Sequence, residues 1–224
     1  MRRLIVVTGT GTEIGKTHTT CALLLAAQGR AFGFKPIESG VTGTEGDDGR
    51  ALRLASGTFH VKREPAPYLF RRAVSPHLAA REEGRDIDLD VAASAIARAP
   101  TDAHALLVEL AGGLFSPLGA ALTNADLALR LAPDAILLVA PDRLGVLHDV
   151  GATLRAARAA GLDITALALV QPEHPDLSTG TNAGELRLLG GPPVFELPRG
   201  SAEALAALPE TRTLYELLLR ARVT

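Results

Sequence analysis

Short aliphatic runs alternate with longer segments rich in Ala and Leu along most of the chain. A short apolar run bounded by turn residues is typical of a buried strand, and apolar residues at helical spacing are typical of a helix. This pattern predicts strands at residues 4–8, 31–35, 105–109, 135–140, 164–170 and 194–197. It predicts helices at residues 15–28, 89–99, 120–131, 147–160, 181–189 and 213–221. Because apolar strands alternate with helices, we expect an α/β fold with a mainly parallel sheet and helices on both faces.

Two stretches do not follow this alternation. Residues 41–49 are rich in Gly, Thr and acidic side chains, which predicts a mobile loop. Residues 65–84, around Ser75-Pro76-His77, are expected to be irregular. No repeat or linker divides the chain, so residues 1–224 are interpreted as a single domain.

Composition and charge exclude several classes of partner. The chain is 47% hydrophobic and 21% charged, as in an ordinary globular domain, and its net charge of −2 predicts no surface for nucleic acid or an anionic membrane. Cys21 is the only cysteine, so neither an internal disulfide nor a thiolate metal site can form. The six histidines show no zinc-ligand spacing. No apolar run resembles a signal peptide or a membrane span, so the cytoplasm is the expected location.

The strongest chemical signal is the segment GTGTEIGKT at residues 9–17, between the first predicted strand and the first predicted helix. Glycines let the backbone N–H groups face an anion, and the helix N-terminus adds the positive end of a dipole. In such a loop Lys16 reaches the β- and γ-phosphates of ATP, and the Thr17 hydroxyl binds Mg²⁺. Five residues separate Gly9 from Gly15 where the general pattern has four, which indicates a variant P-loop.

Two other interpretations of this loop fit less well. A dinucleotide-binding turn, G-x-G-x-x-G, is one residue shorter and has no place for Lys16-Thr17. It also needs an acidic residue at the end of the second strand, where this chain has Lys35. A Gly-rich turn without a ligand would leave Gly-Lys-Thr at a helix start unexplained.

Two carboxylates are candidates for holding a metal at a phosphate site. The strand predicted at residues 105–109 ends in Glu109, and Mg²⁺ between phosphate oxygens needs a carboxylate there, directly or through water. The alternative is an ordinary strand-end Glu that faces solvent, which the P-loop makes less favourable. Asp48, in the pair Asp47-Asp48, is a weaker candidate because such a pair is typical of a solvated turn.

Several segments together resemble the dethiobiotin synthetase family. They are TGTGTEIGKT at 8–17, FKPIESG at 34–40, SPH at 75–77, VELAGG at 108–113 and LG at 144–145. They follow the family's order over nearly the whole chain, and the longer phosphate loop is what this family has. A P-loop alone is common, but a P-loop with the Lys-Pro-x-x-Ser-Gly and Ser-Pro-His segments is far more specific.

The resemblance implies a P-loop NTPase fold and an ATP-dependent cyclo-ligase of biotin biosynthesis. Its substrates would be 7,8-diaminononanoate, CO₂ and MgATP. One amine is carbamylated, the carbamate attacks the γ-phosphate, and the second amine displaces phosphate from the mixed anhydride to close the urea ring. The resemblance also implies a homodimer with the active site at the subunit interface.

The same resemblance assigns roles to residues. Lys16 and Lys35 are expected to be catalytic, stabilising the carbamate and the transferring phosphoryl group. Expected metal ligands, direct or through water, are Thr17, Asp48 and Glu109. Expected ATP contacts are Glu13, Ile14, Gly15, Lys16, Thr17, His18, Asp48, Glu109, Leu110, Ala111, Gly112, Gln171, Pro172, Pro198, Arg199 and Gly200. Expected substrate contacts are Thr12 and Ser39 and, at a helix start supplied by the other subunit, Leu144, Gly145, Val146 and Leu147.

Three positions depart from the family pattern. Leu110 stands where Gly is usual, which would narrow the space beside Glu109. His148-Asp149 replace the usual Asn-His. Gln171 replaces an Asn that commonly contacts adenine, so the nucleotide preference is open. Neutral variation at shape-tolerant positions is the favoured interpretation of all three.

Three other functions are alternatives for a chain with this loop. A partitioning-type P-loop ATPase commonly has an extra lysine early in the loop, where this chain has Thr10, Gly11 and Thr12, and it would use a basic face or an amphipathic anchor. Cobyrinate-type amide synthesis belongs to generally longer chains with a glutaminase region. A nucleotide-binding module without ligase activity is the third alternative.

Overall fold

A computed structural model describes residues 2–61 and 64–221 and contains a six-stranded, fully parallel central sheet. The strands are β1 (Arg3–Gly9), β2 (Ala31–Phe34), β3 (Ile37–Ser39), β4 (Tyr68–Phe70), β5 (Ala105–Glu109), β6 (Ala135–Pro141), β7 (Ala166–Val170) and β8 (Val194–Leu197). The spatial order of the sheet is β2-β5-β1-β6-β7-β8, and β3 and β4 form a separate parallel pair.

Helices cover both faces of the sheet. They are α1 (Lys16–Ala26), α2 (Asp47–Ala55), α3 (Pro76–Glu82), α4 (Leu89–Ala97), α5 (Asn124–Leu131), α6 (Val146–Ala159), α7 (Asn182–Leu188), α8 (Ala202–Ala207) and α9 (Pro209–Arg220), and a 3₁₀ helix spans Gly57–Val61. Successive residues of β1 point to opposite layers: Ile5 and Val7 pack in one apolar cluster and Val6 in another. The predicted α/β fold is therefore confirmed. Within the described ranges, no helix is long and apolar enough to span a membrane.

Two predicted helices begin elsewhere than expected. Residues 120–123 are not helical, because Thr123 pairs with Pro117 in an antiparallel bridge. Thr123 and Asp126 then form a capping box that starts α5. The last helix begins at Pro209 rather than at residue 213, since proline is well tolerated in a first helical turn.

The two stretches that were expected to lack regular structure contain several elements. Residues 41–49 are not entirely a loop: α2 begins at Asp47, so Asp48 lies in the first turn of a helix. Residues 65–84 include β4 and α3. The short helix α8 was not predicted either.

The fold gathers loops at one edge of the sheet. Because the six strands are parallel, their carboxyl ends meet at the same edge, where ligands of open α/β sheets bind. There β1 lies between β5 and β6, with Val7 beside Glu109 on one side and beside Leu137 on the other. The segments after β1 and β5 are thus neighbours.

Candidate active site

The loop between β1 and α1 is tightly packed. Gly15 precedes the helix with a φ of 90°, and Glu13 has a φ of 55°, a conformation that non-glycine residues seldom adopt. At Gly9 a Cβ would lie 2.4 Å from Cδ1 of Ile14 and 3.1 Å from the carbonyl oxygen of Val139. Gly15 therefore permits the turn before α1, and Gly9 permits the close approach to β6.

Lys16 lies across this loop. Its Nζ donates a hydrogen bond to the Gly11 carbonyl oxygen at 2.7 Å, and the residue is buried. Burial lowers the pKa of Lys16 to about 8, although Glu109 opposes that shift. The ammonium group thus has a neutral acceptor inside the loop.

Lys35, Glu109, Asp48 and Thr17 form a polar cluster beside the loop, in which Lys35 and Glu109 are buried and Asp48 and Thr17 are partly exposed. The Lys35 ammonium donates to Glu109 Oε1 at 2.8 Å and pairs with the Asp48 carboxylate. The Thr17 hydroxyl donates to the same Glu109 oxygen at 2.8 Å. Glu109 is fully buried at the end of β5. The cluster joins α1, α2 and β5 to the segment after β2, and all four members were predicted to be site residues.

The opposite charges in this cluster stabilise the ionised form of one another. Burial disfavours the Lys35 ammonium, but Glu109 and Asp48 outweigh that effect and raise the pKa of Lys35. Burial likewise acts upward on the Asp48 carboxyl, but the charge and hydrogen bond of Lys35 prevail and lower the pKa of Asp48. Lys35 is therefore a fixed cation between two carboxylates.

The oxygen donors of the cluster fit Mg²⁺ in combination with a nucleotide. Thr17, Asp48 and Glu109 offer a hydroxyl and two carboxylates, the hard ligands that Mg²⁺ prefers. In the part of the chain that the structure describes, no group of three or more His, Cys, Asp and Glu could hold a metal by itself. Magnesium at phosphate sites commonly takes one or two carboxylates and completes its shell with phosphate and water, so this donor set is sufficient.

Two residues that sequence reasoning missed support the cluster and the neighbouring loop. Thr20 donates to Glu109 Oε2 at 3.1 Å, one turn after Lys16 in α1. Asn124 donates from Nδ2 to the carbonyl oxygens of Ala111 and Gly113, at 2.6 and 2.9 Å. The helical spacing from Lys16 could have indicated Thr20, whereas Asn124 makes tertiary contacts that no local pattern indicates.

The loop after β5 packs directly against the phosphate loop. Gly112 has a φ of 76°, and a Cβ on Gly113 would lie 3.1 Å from the Gly9 carbonyl oxygen. Leu110 is buried in an apolar cluster of the core. Ala111 and Gly112 therefore lie at the edge of the sheet beside the P-loop, and their contact with ATP stays a prediction.

The residues expected to contact the adenine base of ATP lie on two adjoining loops. Gln171 follows β7, and its Oε1 accepts a hydrogen bond from the Arg199 backbone N–H at 3.1 Å. Pro172, Pro198 and Gly200 flank this contact in the sequence. At Gly15 a Cβ would meet Val170 Cγ1 at 3.0 Å, so the end of β7 touches the phosphate loop. The loop that begins at Gln171 therefore starts beside the P-loop.

The expected substrate contacts divide into two groups. Ser39 ends β3, and its hydroxyl is buried without a hydrogen-bond partner among the described residues. Thr12 lies in the phosphate loop. The segment Leu144–Leu147 begins α6 instead, with Gly145 as N-cap at a φ of 92°. Among the hydrogen bonds and ion pairs of residues 2–61 and 64–221, none joins this segment to the polar cluster around Lys35 in the same chain.

Fold and loop geometry together define a P-loop nucleoside triphosphatase. The septum site-determining protein MinD of Pyrococcus horikoshii OT3, solved with Mg-ADP, is similar with a TM-score of 0.57 and 12% identity over 98% of this chain and 95% of that one. A ParA family ATPase of Chlorobium tepidum TLS gives 0.56 at 12% identity, over 98% of each chain. At such identities the likeness extends to the fold alone.

Sequence comparison is more specific. A family model described as an AAA domain matches residues 3–216. The ATP-dependent dethiobiotin synthetase BioD of Caulobacter sp. (strain K31) is 38% identical over 214 residues, 92% of each chain. That of Anaeromyxobacter dehalogenans (strain 2CP-C) is 40% identical over 203 residues, 88% of this chain and 90% of the relative. The chain therefore belongs to the ATP-dependent dethiobiotin synthetase family, a family of ligases, which confirms the resemblance found in the sequence.

Proposed function

We propose that this protein is a ligase that forms dethiobiotin from 7,8-diaminononanoate, CO₂ and ATP, with Mg²⁺ as cofactor. The observation that carries the proposal is a second buried ammonium group, Lys35, beside the P-loop and in contact with Glu109. A nucleotide-binding loop needs only Lys16 for its phosphates. A second fixed cation at the reacting end suits a reaction in which two anions, a carbamate and a triphosphate, must meet.

The phosphate loop binds and orients the triphosphate. Its backbone N–H groups and Lys16 hold the phosphates, and an anion there would replace the Gly11 carbonyl as the partner of the lysine. Bound by Thr17, Asp48 and Glu109, Mg²⁺ would neutralise charge on the phosphate oxygens.

Lys35 acts on the other reactant. One amine of the substrate attacks CO₂ and loses a proton, which gives a carbamate. Lys35 holds a carbamate oxygen near the γ-phosphate, ADP leaves as the mixed anhydride forms, and the second amine attacks the carbonyl carbon and expels phosphate. The buried hydroxyl of Ser39 is available to the carbamate or the diamine. Burial of Lys35 and Glu109 limits water around these two side chains, and water would otherwise hydrolyse the anhydride.

A homodimer would complete the site. Leu144, next to the N-cap of α6, has 75% of its surface exposed, and Leu177 is fully exposed on a neighbouring loop. Exposed leucines beside a helix N-terminus suit a contact between two subunits. In that contact the N–H groups at the start of α6 in one subunit would bind the carboxylate of the substrate held by the other subunit. We propose the cytoplasm as the compartment, because ATP is the co-substrate.

One assay tests the reaction. Purified protein is supplied with MgATP, bicarbonate and diaminononanoate, and phosphate release is measured together with the mass of the product. We expect one phosphate for each dethiobiotin. A monoamine analogue is the control, because it can form a carbamate but cannot close the ring. ATP hydrolysis that is indifferent to the diamine would instead support a partitioning-type ATPase.

A further inference from the structure

Glu38 is a buried carboxylate that the roles described above do not use. It lies in β3, three residues after Lys35, and only 6% of its surface is exposed. Its two oxygens accept hydrogen bonds from the backbone of α2. Oε1 accepts from the Asp48 N–H at 2.9 Å, and Oε2 accepts from the Gly49 N–H at 3.0 Å. A carboxylate on one strand thus holds the first turn of a helix.

These two N–H groups are the ones that an N-cap side chain ordinarily satisfies. Gly46 is the N-cap of α2 and has no side chain to offer. The N–H groups of the second and third helical residues therefore need another acceptor. Glu38 provides it from outside the helix, and its negative charge is also favourable at the positive end of the helix dipole.

The absence of a side chain at Gly46 leaves space for the Glu38 carboxylate. A Cβ on Gly46 would lie 2.0 Å from Cδ of Glu38. The backbone of Gly46 has a φ of −78°, a conformation that any residue adopts, so glycine is not required there for the backbone itself. The missing side chain makes room for Glu38.

Resting on the proposed function, we propose that Glu38 is a positioning residue for the metal and phosphate chemistry. It accepts the backbone N–H of Asp48, whose carboxylate pairs with Lys35, as does that of Glu109. Without this hydrogen bond the first turn of α2 would be free to fray, and the Asp48 carboxylate would lose its fixed position. Glu38 touches no reacting atom and acts only through Asp48.

Mn²⁺ binding to the protein–ADP complex, followed by electron paramagnetic resonance, tests this role. We expect Glu38→Ala to weaken Mn²⁺ binding by about tenfold, the range found for residues that orient metal ligands. ADP affinity without metal should change by less than about twofold. Glu38→Gln should weaken Mn²⁺ binding less, because its amide oxygen still accepts one of the two hydrogen bonds.

Two further variants distinguish positioning from charge. Gly46→Ala keeps the charge but displaces the carboxylate, so it should reproduce the loss seen in Glu38→Ala, and the double variant should be no worse than either single one. Asp47→Asn is the matched control. It removes a charge from the same helical turn, but its side chain is 95% exposed and pairs with Arg50, so Mn²⁺ affinity should not change.

Unchanged Mn²⁺ affinity in Glu38→Ala, with a lower melting temperature, would show a structural cap only and overturn the proposal. If Glu38→Ala does not fold, wild-type affinity in both Glu38→Gln and Gly46→Ala would overturn it equally. Mn²⁺ binding does not require the ligase reaction. A wild-type protein that makes no dethiobiotin would refute the proposed function, whereas weaker Mn²⁺ binding in the Glu38 and Gly46 variants would still support positioning by Glu38.

Discussion

The two lysines of the site differ in their surroundings although both carry the same charge. Lys16 donates to a neutral carbonyl oxygen inside the P-loop, and burial lowers its pKa to about 8. Lys35 lies between Glu109 and Asp48, which outweigh its burial and raise its pKa. Lys16 can thus exchange its partner for a phosphate with little loss, whereas Lys35 is a cation that is already held in place. Their roles should separate in kinetics.

Replacing Lys35 should impair the reaction far more than nucleotide binding. We expect Lys35→Ala to lower kcat by about 10² to 10³, as for the loss of one group that stabilises transition-state charge. ADP affinity, measured by calorimetry, should change little. Lys16→Ala is the counterpart and should weaken ADP binding clearly. Collapse of ADP affinity in Lys35→Ala with an unchanged kcat at saturation would show that Lys35 has been given the wrong role.

Ser39 allows a ligand contact to be separated from a structural one. Its hydroxyl is buried without a partner in the described chain, so removing it should not destabilise the fold. We expect Ser39→Ala to keep or raise the melting temperature while KM for the diamine rises by roughly fivefold, the value of about one hydrogen bond.

Thr211 in α9 provides the control for Ser39. It is a buried hydroxyl that likewise lacks a partner among the described residues, and it belongs to the helical layer rather than the site. Thr211→Val should leave the KM for the diamine and the KM for ATP unchanged. Loss of stability in Ser39→Ala without a change in KM would argue against substrate contact.

Among the structural elements, the start of α6 is held by a neighbouring loop. Asp176 accepts the Leu144 N–H at 2.8 Å and also the N–H and hydroxyl of Ser178. Asp142 accepts from Gly180 N–H and Asn182 Nδ2, both at 2.7 Å. Two carboxylates thus fix the loop before α7 to the loop before α6. The Leu144 N–H is bonded to Asp176 and the Val146 N–H to the Arg143 carbonyl oxygen, so the N–H groups of Gly145 and Leu147 are the better candidates for an anion.

The hydrogen bonds to Asp176 should make the stability of the fold decrease in acid. The Ser178 hydroxyl and the Leu144 N–H lower the pKa of Asp176 from 3.8 to about 2. A carboxyl group whose pKa is lower in the folded than in the unfolded chain stabilises the fold at pH values above the unfolded pKa. This contribution is lost as the pH falls from 3.8 toward 2. We expect Asp176→Asn to lower the free energy of unfolding at pH 7, and its difference from wild type to shrink below about pH 4. Urea titrations between pH 7 and pH 3 measure this.

Glu173→Gln is the matched control for Asp176. Glu173 is exposed on the same loop and pairs with Arg199 instead of capping the Leu144 N–H. Because an exposed ion pair contributes little to stability, its replacement should change the free energy of unfolding little. A constant deficit for Asp176→Asn down to pH 3 would contradict the assigned hydrogen bonds.

The sequence predicted those elements whose cause is local. Hydrophobic runs gave the six strands of the main sheet, and the strand Ala105–Glu109 agrees residue for residue. The helix α2 was missed because its apolar residues are few and its N-cap acceptor, Glu38, comes from another element. The P-loop could be predicted because its glycines and lysine are contiguous. The support by Asn124 could not be predicted, because it depends on tertiary contacts with Ala111 and Gly113, whereas the spacing of Thr20 from Lys16 is local.

For the whole molecule, the exposed leucines near α6 should govern assembly. Leu177 and Leu144 are exposed on loops that Asp176 joins. For the proposed homodimer, we expect Leu177→Asp to shift the sedimentation of the protein from dimer toward monomer, because a charge in an apolar contact is costly to bury. Val91→Asp on α4, also at an exposed apolar position, is the control and should stay dimeric. Unchanged sedimentation of Leu177→Asp would place the subunit contact on another surface.

Sharing of the site between subunits can be tested with mixed dimers of two inactive variants. Lys35→Ala removes the cation from one half of the site. Gly145→Asp places a negative charge beside the N–H groups that would hold the substrate carboxylate. The nearest atom to the added Cβ is Arg143 Nη1 at 3.5 Å, but the φ of 92° strains any side chain at this position, so the melting temperature of this variant is measured as a control. In a purified mixed dimer with shared sites, one site contains both changes and the other contains neither. We therefore expect about half of the wild-type kcat per dimer, with both parent homodimers inactive. If each site were built from a single chain, every site would contain one change and the mixed dimer would be as inactive as its parents.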